Sequence, residues 1–193
     1  MTDKPLDTKH RILTNAYDLF YRSGFARVSV DDIAEAANVT KRTIYYHYKS
    51  KDDLAAAVLE NQHHQALRHI QSWGSSRART PGGFLDHIFQ ELEKWAAQPG
   101  WLGSGFSRMT MELADRPGHP ARKAARHHKL AVENWLCQEL TRLKCRDSRL
   151  LSRQITMLLE GCLVLVLIYG DVSYVRCAQK AARALITGSH PAK

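Results

Sequence analysis

"VTKRTIYYHYKSKDDL", residues 39–54, sets three tyrosines, a histidine and four basic residues close together, with no acid before Asp52. Thr40 has the side chain of a good N-cap, so it opens a short helix from Lys41 to about Tyr48. On that helix Ile44 and Tyr48 share one side at a spacing of four, while Lys41, Arg42, Tyr45 and Tyr46 project elsewhere. A short helix with an apolar seat and a basic, aromatic outer face is either solvated surface or an element shaped for a groove in DNA. The neighbouring segments decide between them.

Upstream, Ile12, Ala16, Leu19 and Phe20 form one apolar stripe of a helix over about 7–23, which Gly24 is placed to end. Ser29 or Val30 opens a second, short helix whose Asp31 and Asp32 favour the positive end of its dipole. Ile33, Ala34 and Ala37 give it a small-residue inner face. Asn38 and Val39 leave room for only a tight turn. Two short helices joined this way, the second exposed and basic, make a helix-turn-helix. Lys41 and Arg42 can then reach bases or phosphates, and arginine matches the two acceptors of guanine. Thr43, Tyr45, Tyr46 and His47 offer groups suited to phosphate oxygens and thymine methyls. Lys51, at the start of a helix that Ser50 and Asp53 cap, adds a phosphate contact. Tyr48 reads as core and Lys49 as solvated. Tyr46 can face DNA or pack on the first helix, and Ser29 can be a cap alone.

From Arg11 to about Leu59 the chain resembles the DNA-binding head of the TetR family of transcriptional regulators. The resemblance rests on Ile12, Leu13, Ala16, Leu19, Phe20 and Gly24, on "VSVDDIAEAANV", on Thr43 and on "YYHYKSKDDL". It implies an all-α fold of about nine helices: a three-helix head, a connecting fourth helix, and a helical body that binds an effector and forms a dimer. The implied division is 1–50 for DNA binding and 51–193 for effector binding and dimerisation. The candidate DNA-binding set is Ser29, Thr40, Lys41, Arg42, Thr43, Tyr45, Tyr46, His47 and Lys51. Two positions depart from the family pattern. Asn38 replaces the usual turn glycine and tolerates a left-handed conformation. Arg42 replaces a small residue, which changes base preference.

Beyond residue 60 the helical periodicity continues, with helices at about 51–73, 82–97, 101–114, 118–145, 147–169 and 171–187. "GSSRARTPGG" (74–83) reads as a loop and "GSHPAK" (188–193) as a frayed end. The helix "SRLLSRQITMLLEGCLVLVLIYGD" is too apolar to face water, so residues 147–187 are the expected homodimer interface; a buried central helix of a monomer would look the same. Trp95, Trp101, Phe106, Met109, Met111 and Trp135 could line a mostly apolar effector pocket, and core packing explains them equally. The run from Arg116 to Lys129 holds no acid and reads best as a solvated face.

The net charge of +9 is deceptive. Residues 1–60 balance nine basic against nine acidic side chains, so the whole excess lies downstream and bulk charge does not point at the head. No signal peptide is visible, and "GCLVLVLIYG" (161–170) is too short to span a bilayer. A cytoplasmic location with no membrane partner is expected. Cys137, Cys145, Cys162 and Cys177 form neither a zinc pattern nor a disulfide framework, although Cys145 has the basic neighbours of a redox-sensing thiol. Adjacent histidines on a helix point about 100° apart, so His63-His64 and His127-His128 each offer one side chain to a site, and no metal or cofactor is expected. No G-x-S-x-G, P-loop, H-E-x-x-H or G-x-G-x-x-G motif is present, which argues against an enzyme. The function these readings imply is a ligand-responsive repressor binding a pseudo-palindromic operator as a homodimer. The alternatives are a thiol-redox-responsive DNA-binding regulator or a helical small-molecule enzyme.

Overall fold

The computed structural model describes residues 7–74 and 78–188; parts of the expected 74–83 loop and the 188–193 tail lie outside them. Among the described residues there are nine helices and no strand: α1 (Thr8–Ser23), α2 (Val30–Ala36), α3 (Lys41–His47), α4 (Lys51–Trp73), α5 (Pro81–Ala96), α6 (Gly105–Glu112), α7 (Pro120–Arg142), α8 (Ser148–Tyr169) and α9 (Ser173–Gly188). Helix α6 starts four residues later than the periodicity suggests. Gly103 takes a left-handed φ of 82° and Ser104 serves as the N-cap, so the chain turns before it coils.

The chain divides into two compact units, one of residues 1–65 with 104–128 and one of 66–103 with 129–193. The first unit thus contains α1 to α3, the opening of α4, all of α6 and the opening of α7. In it α1 packs on α2 and α2 on α3. Ile12, Ala16, Ile33, Ile44, Leu54 and Leu59 are buried at its core. In the second unit α9 packs against both α8 and α5. Its core draws on Phe84, Ile88, Leu136, Leu140, Ile155 and Val175, among others. Asp86 of α5 ties α9 down by accepting from Gln179 at 2.8 Å and pairing with Arg183 at 2.9 Å.

Helix α8, at 22 residues, is longer than its most apolar run, and by length and composition it could cross a membrane. Its buried side, with Leu151, Ile155, Leu159, Cys162 and Val166, joins the second unit's core. Its other side leaves Leu150, Met157, Ile168 and Tyr169 exposed.

Candidate nucleic-acid interface

Local hydrogen bonds fix the ends of the two short helices. Ser29 and Asp32 close a capping box: the Ser29 hydroxyl accepts from the Asp32 amide at 3.0 Å, and the Asp32 carboxylate accepts from the Ser29 amide at 2.7 Å. Those hydrogen bonds hold the Asp32 carboxyl below the usual carboxylate range. Asn38 takes φ 51° in the turn, the left-handed conformation that asparagine tolerates. Thr40 then caps α3, its hydroxyl accepting from the Thr43 amide at 3.1 Å and lying 2.8 Å from the Thr43 hydroxyl. Ser50 and Asp53 repeat the arrangement at the start of α4.

These caps orient α3. Ile44, 1% exposed, and Tyr48 anchor it in the unit's core. Lys41, Arg42 and Tyr45 stand outside, and Tyr46 is 84% exposed, open to a partner rather than packed on α1. His47, half-buried, meets the Tyr46 ring edge-on with centroids 5.1 Å apart. Lys41 pairs with Asp31 of α2 at 2.7 Å, and that hydrogen bond raises its pKa. The two helices of the motif are therefore linked by charge as well as by packing.

Besides Thr40, the cap of α3, two of the expected contacts have internal tasks. Ser29 serves as the cap of α2. Lys51 points inward: its ammonium donates to the Phe25 carbonyl at 2.6 Å and sits 4.3 Å from the Phe25 ring centroid. Burial lowers its pKa. A phosphate would have to draw it away from both partners.

Sequence patterns missed the residues that brace this surface, because they lie 60 to 90 positions away. The Glu112 carboxylate accepts from the Ala26 amide at 3.2 Å. It also fills the space beside Gly24, where a Cβ would come within 3.1 Å of its oxygens and where φ is 88°. The positive φ is what favours glycine there, and the carboxylate would have to yield slightly to any side chain. Arg108 donates to the Tyr21 carbonyl. Asp52, in the first turn of α4, pairs with Arg116 and lies 3.1 Å from the buried His119 ring nitrogen Nε2. The other nitrogen of His119 accepts from the Ala121 amide at 3.1 Å, which leaves the hydrogen of the neutral ring on the side of Asp52. Burial alone would raise the Asp52 pKa, but the bonds from Arg116 and His119 outweigh it and hold the carboxyl low.

The basic stretch 116–129 is partly consumed in the same way. Besides Arg116, Arg122 donates to the carbonyls of Leu113 and Ala114 at 3.3 and 3.2 Å, closing the end of α6. Lys123 and Arg126 remain exposed. The six candidate pocket residues are divided between the units: Phe106, Met109 and Met111 belong to the first, Trp95, Trp101 and Trp135 to the second. Met111 is exposed, and Met109 lines a cavity of about 10 Å³, room for one water at most. In the second unit Trp101 meets Trp95 edge-on at 5.5 Å, and Trp135 meets Phe84 at 5.8 Å.

Known proteins match this arrangement. Residues 12–58 fit the family described as "Bacterial regulatory proteins, tetR family". A 57-residue stretch is 40% identical to the HTH-type transcriptional regulator TtgR of Pseudomonas putida; it covers 30% of this chain and spans only 27% of that protein's length. The biofilm operon icaADBC HTH-type negative transcriptional regulator IcaR of Staphylococcus epidermidis is 23% identical over 88% of this chain and 84% of its own. Among solved structures, a TetR transcriptional regulator from Legionella pneumophila superposes with a TM-score of 0.78 at 23% identity, over 96% of this chain and 100% of that one. Residues 12–58 thus carry the sequence of the TetR-family DNA-binding head, and the fold of the chain is that of solved TetR-type regulators.

Proposed function

We propose that the chain is a cytoplasmic, non-enzymatic transcriptional regulator that binds a pseudo-palindromic DNA operator as a homodimer and represses until an effector binds. Residues 1–50 read the DNA; residues 51–193 bind the effector and dimerise. One observation carries the reading: α3, capped at Thr40 and seated by Ile44, presents Lys41, Arg42, Tyr45 and Tyr46 outward while α2 supports it. A recognition helix needs that combination of a fixed seat and an exposed basic face.

Dimerisation is supported by the exposed side of α8. Leu150, Met157 and Ile168 recur along one helical stripe with Gly161 between them, and Cys177, Ala181 and Ala184 stand exposed on α9. An apolar stripe of this kind calls for a partner surface, and a two-fold pairing would space two α3 helices for successive major grooves. Effector binding needs only modest coupling, about 1–3 kcal/mol, to change DNA affinity 5- to 150-fold. The tryptophans at 95, 101 and 135 suit an apolar, aromatic-lined site for it.

The thiol-redox alternative, placed at Cys145 or Cys137, is disfavoured at Cys145, where burial pushes the thiol up, opposite to what a reactive thiolate needs. Cys162 is pushed up to about 12. Selection of sites from random duplex DNA by the purified protein, at two salt concentrations, tests the proposal. Enrichment of a two-fold-symmetric site is expected; salt-sensitive binding without enrichment would overturn it.

A further inference from the structure

Four histidines from two distant stretches meet inside the first unit. His63 and His64 lie on α4, His127 and His128 on α7. Their neighbours in sequence point apart, yet one member of each pair is buried and they face each other. His63 is 5% exposed and His128 1%, with their Nδ1 atoms 3.3 Å apart. The His127 ring stacks on His63 at 4.4 Å, and His64 lies against it at 4.9 Å. Phe106 of α6 covers the far face of the pair, stacked on His128 at 3.8 Å. At the surface, Glu60 of α4 accepts from or pairs with His127 at 3.4 Å. Among the described residues no three His, Cys, Asp or Glu side chains converge as a metal cage. What joins its two buried members is the Nδ1···Nδ1 contact.

We propose that the His63–His128 pair is an acid-sensitive latch that joins α4 to α7 and thereby regulates the DNA-binding unit. Across 3.3 Å, one Nδ1 carries a hydrogen and the other offers its lone pair, so a neutral pair makes one N–H···N bond. A first added proton can go to the outer Nε2 of the donating ring, which keeps that bond at the cost of burying a charge. A second sets two N–H groups face to face and is incompatible with the closed contact.

The groups facing His63 agree with this. On α4 these are Glu60 and His64, and on α7 His127 and His128; the Phe106 ring of α6 stacks on His128. Burial lowers the His63 pKa from its ordinary 6.5, His127 and His64 lower it further, and Glu60 opposes them. A folded base with a depressed pKa binds fewer protons than the unfolded chain. The latch therefore contributes its full stability above about pH 6.5 and loses it as the pH falls from there through the folded value. Since α4 follows three residues after α3, loosening α4 from α7 reaches the recognition helix directly.

The regulatory half of this inference rests on the proposed DNA binding; the latch itself does not, and the test separates them. Thermal unfolding of the full-length protein without DNA is followed from pH 7.5 to 5.5, in EDTA, for wild type, His63→Asn and His128→Asn. Asparagine puts an amide where Nδ1 stood and keeps a hydrogen bond without a titrating group. The wild type should lose about 3–5 °C more than either variant over this range. Equal losses overturn the latch. Imidazole NMR titration of the wild type gives the same answer without a variant: His63 should titrate below the ordinary value, and ordinary titration of His63 overturns the latch. Zinc in place of EDTA is the control; stabilisation of the wild type alone would make the ligand a metal ion and overturn the proton reading. DNA affinity of the wild type relative to His63→Asn should fall on the order of fivefold across the same range. A flat ratio beside a clear thermal effect overturns the regulatory role, while absence of DNA binding at every pH overturns the proposed function and leaves the latch standing.

Discussion

Lys51 donates to the carbonyl of Phe25 at 2.6 Å and lays its ammonium over the same residue's ring, 4.3 Å from the centroid. One side chain thus ties the first turn of α4 to the loop between α1 and α2. Replacing Lys51 with Met keeps the aliphatic stem and removes both interactions. Stability should fall by about 1–2 kcal/mol, because the Phe25 carbonyl loses a charged donor in a part-buried site. The salt dependence of DNA binding should change little. Chemical denaturation together with binding at three ionic strengths checks this; a full unit lost from the salt slope would place Lys51 on phosphate instead.

Arg42 presents the opposite case, exposed on α3 with Tyr46 beyond it. Arg42→Ala should leave the fold intact and weaken operator binding, with relaxed preference at one base-pair position, a cost of about 1–3 kcal/mol if the guanidinium grips guanine. Site selection repeated with the variant decides the matter. An unchanged consensus would confine Arg42 to the backbone.

Asp31 holds Lys41 at 2.7 Å on the same outer surface. Asp31→Asn removes a carboxylate that repels phosphate and releases the lysine. Affinity for all duplexes should rise, operator or not, and the salt slope should steepen by about one. Discrimination between operator and random DNA should shrink accordingly. Competition binding with both DNAs measures it; equal gains without loss of discrimination would mean that Asp31 sets charge and not the direction of Lys41.

The local chemistry of the head was legible from its residues because it is local. Ser29, Thr40 and Ser50 cap the helices that follow them, Asn38 takes the left-handed turn, and Ile44 with Tyr48 seats α3. Each feature depends on neighbours within about four positions, and hydrogen-bond and steric rules act at that range. The direction of Lys51 was not legible, since Phe25 lies 26 positions away. Nor was the bracing of the head by Glu112, Arg116 and His119, nor the meeting of His63 with His128, 65 positions apart. Helical periodicity says which face is apolar, and it does not say which distant face will cover it. For the same reason the tryptophans and methionines of the body read identically as core and as pocket lining.

His119 and Asp52 give a second pH effect, separable from that of the histidine latch. The Asp52 carboxyl is held low, so its contribution to stability is complete above its unfolded value near 3.8 and is lost as the pH falls through the lower folded value. Asp52→Asn should flatten the stability profile below about pH 4 and leave the limb between 6.5 and 5 untouched. A variant that flattened the upper limb would show the two sites to be coupled. His119→Ala should cost more, about 1–3 kcal/mol at neutral pH, because the Ala121 amide and the Asp52 carboxylate both lose a buried partner.

Met157 stands near the middle of the exposed α8 stripe and is 70% exposed. An aspartate there would meet its own copy across a two-fold axis, where like charges in an apolar contact are costly. On the surface of a monomer the same change should be nearly neutral, within about 0.5 kcal/mol. The two situations therefore separate cleanly. If α8 forms the homodimer interface, Met157→Asp should turn a dimer into a monomer by light scattering and abolish binding to a two-half-site operator. Binding to a single half-site should survive weakly, because α3 and its caps lie in the other compact unit. A Met157→Asp protein that stays dimeric and binds its operator like the parent would move the interface elsewhere, and the apolar stripe of α8 would then need a different partner.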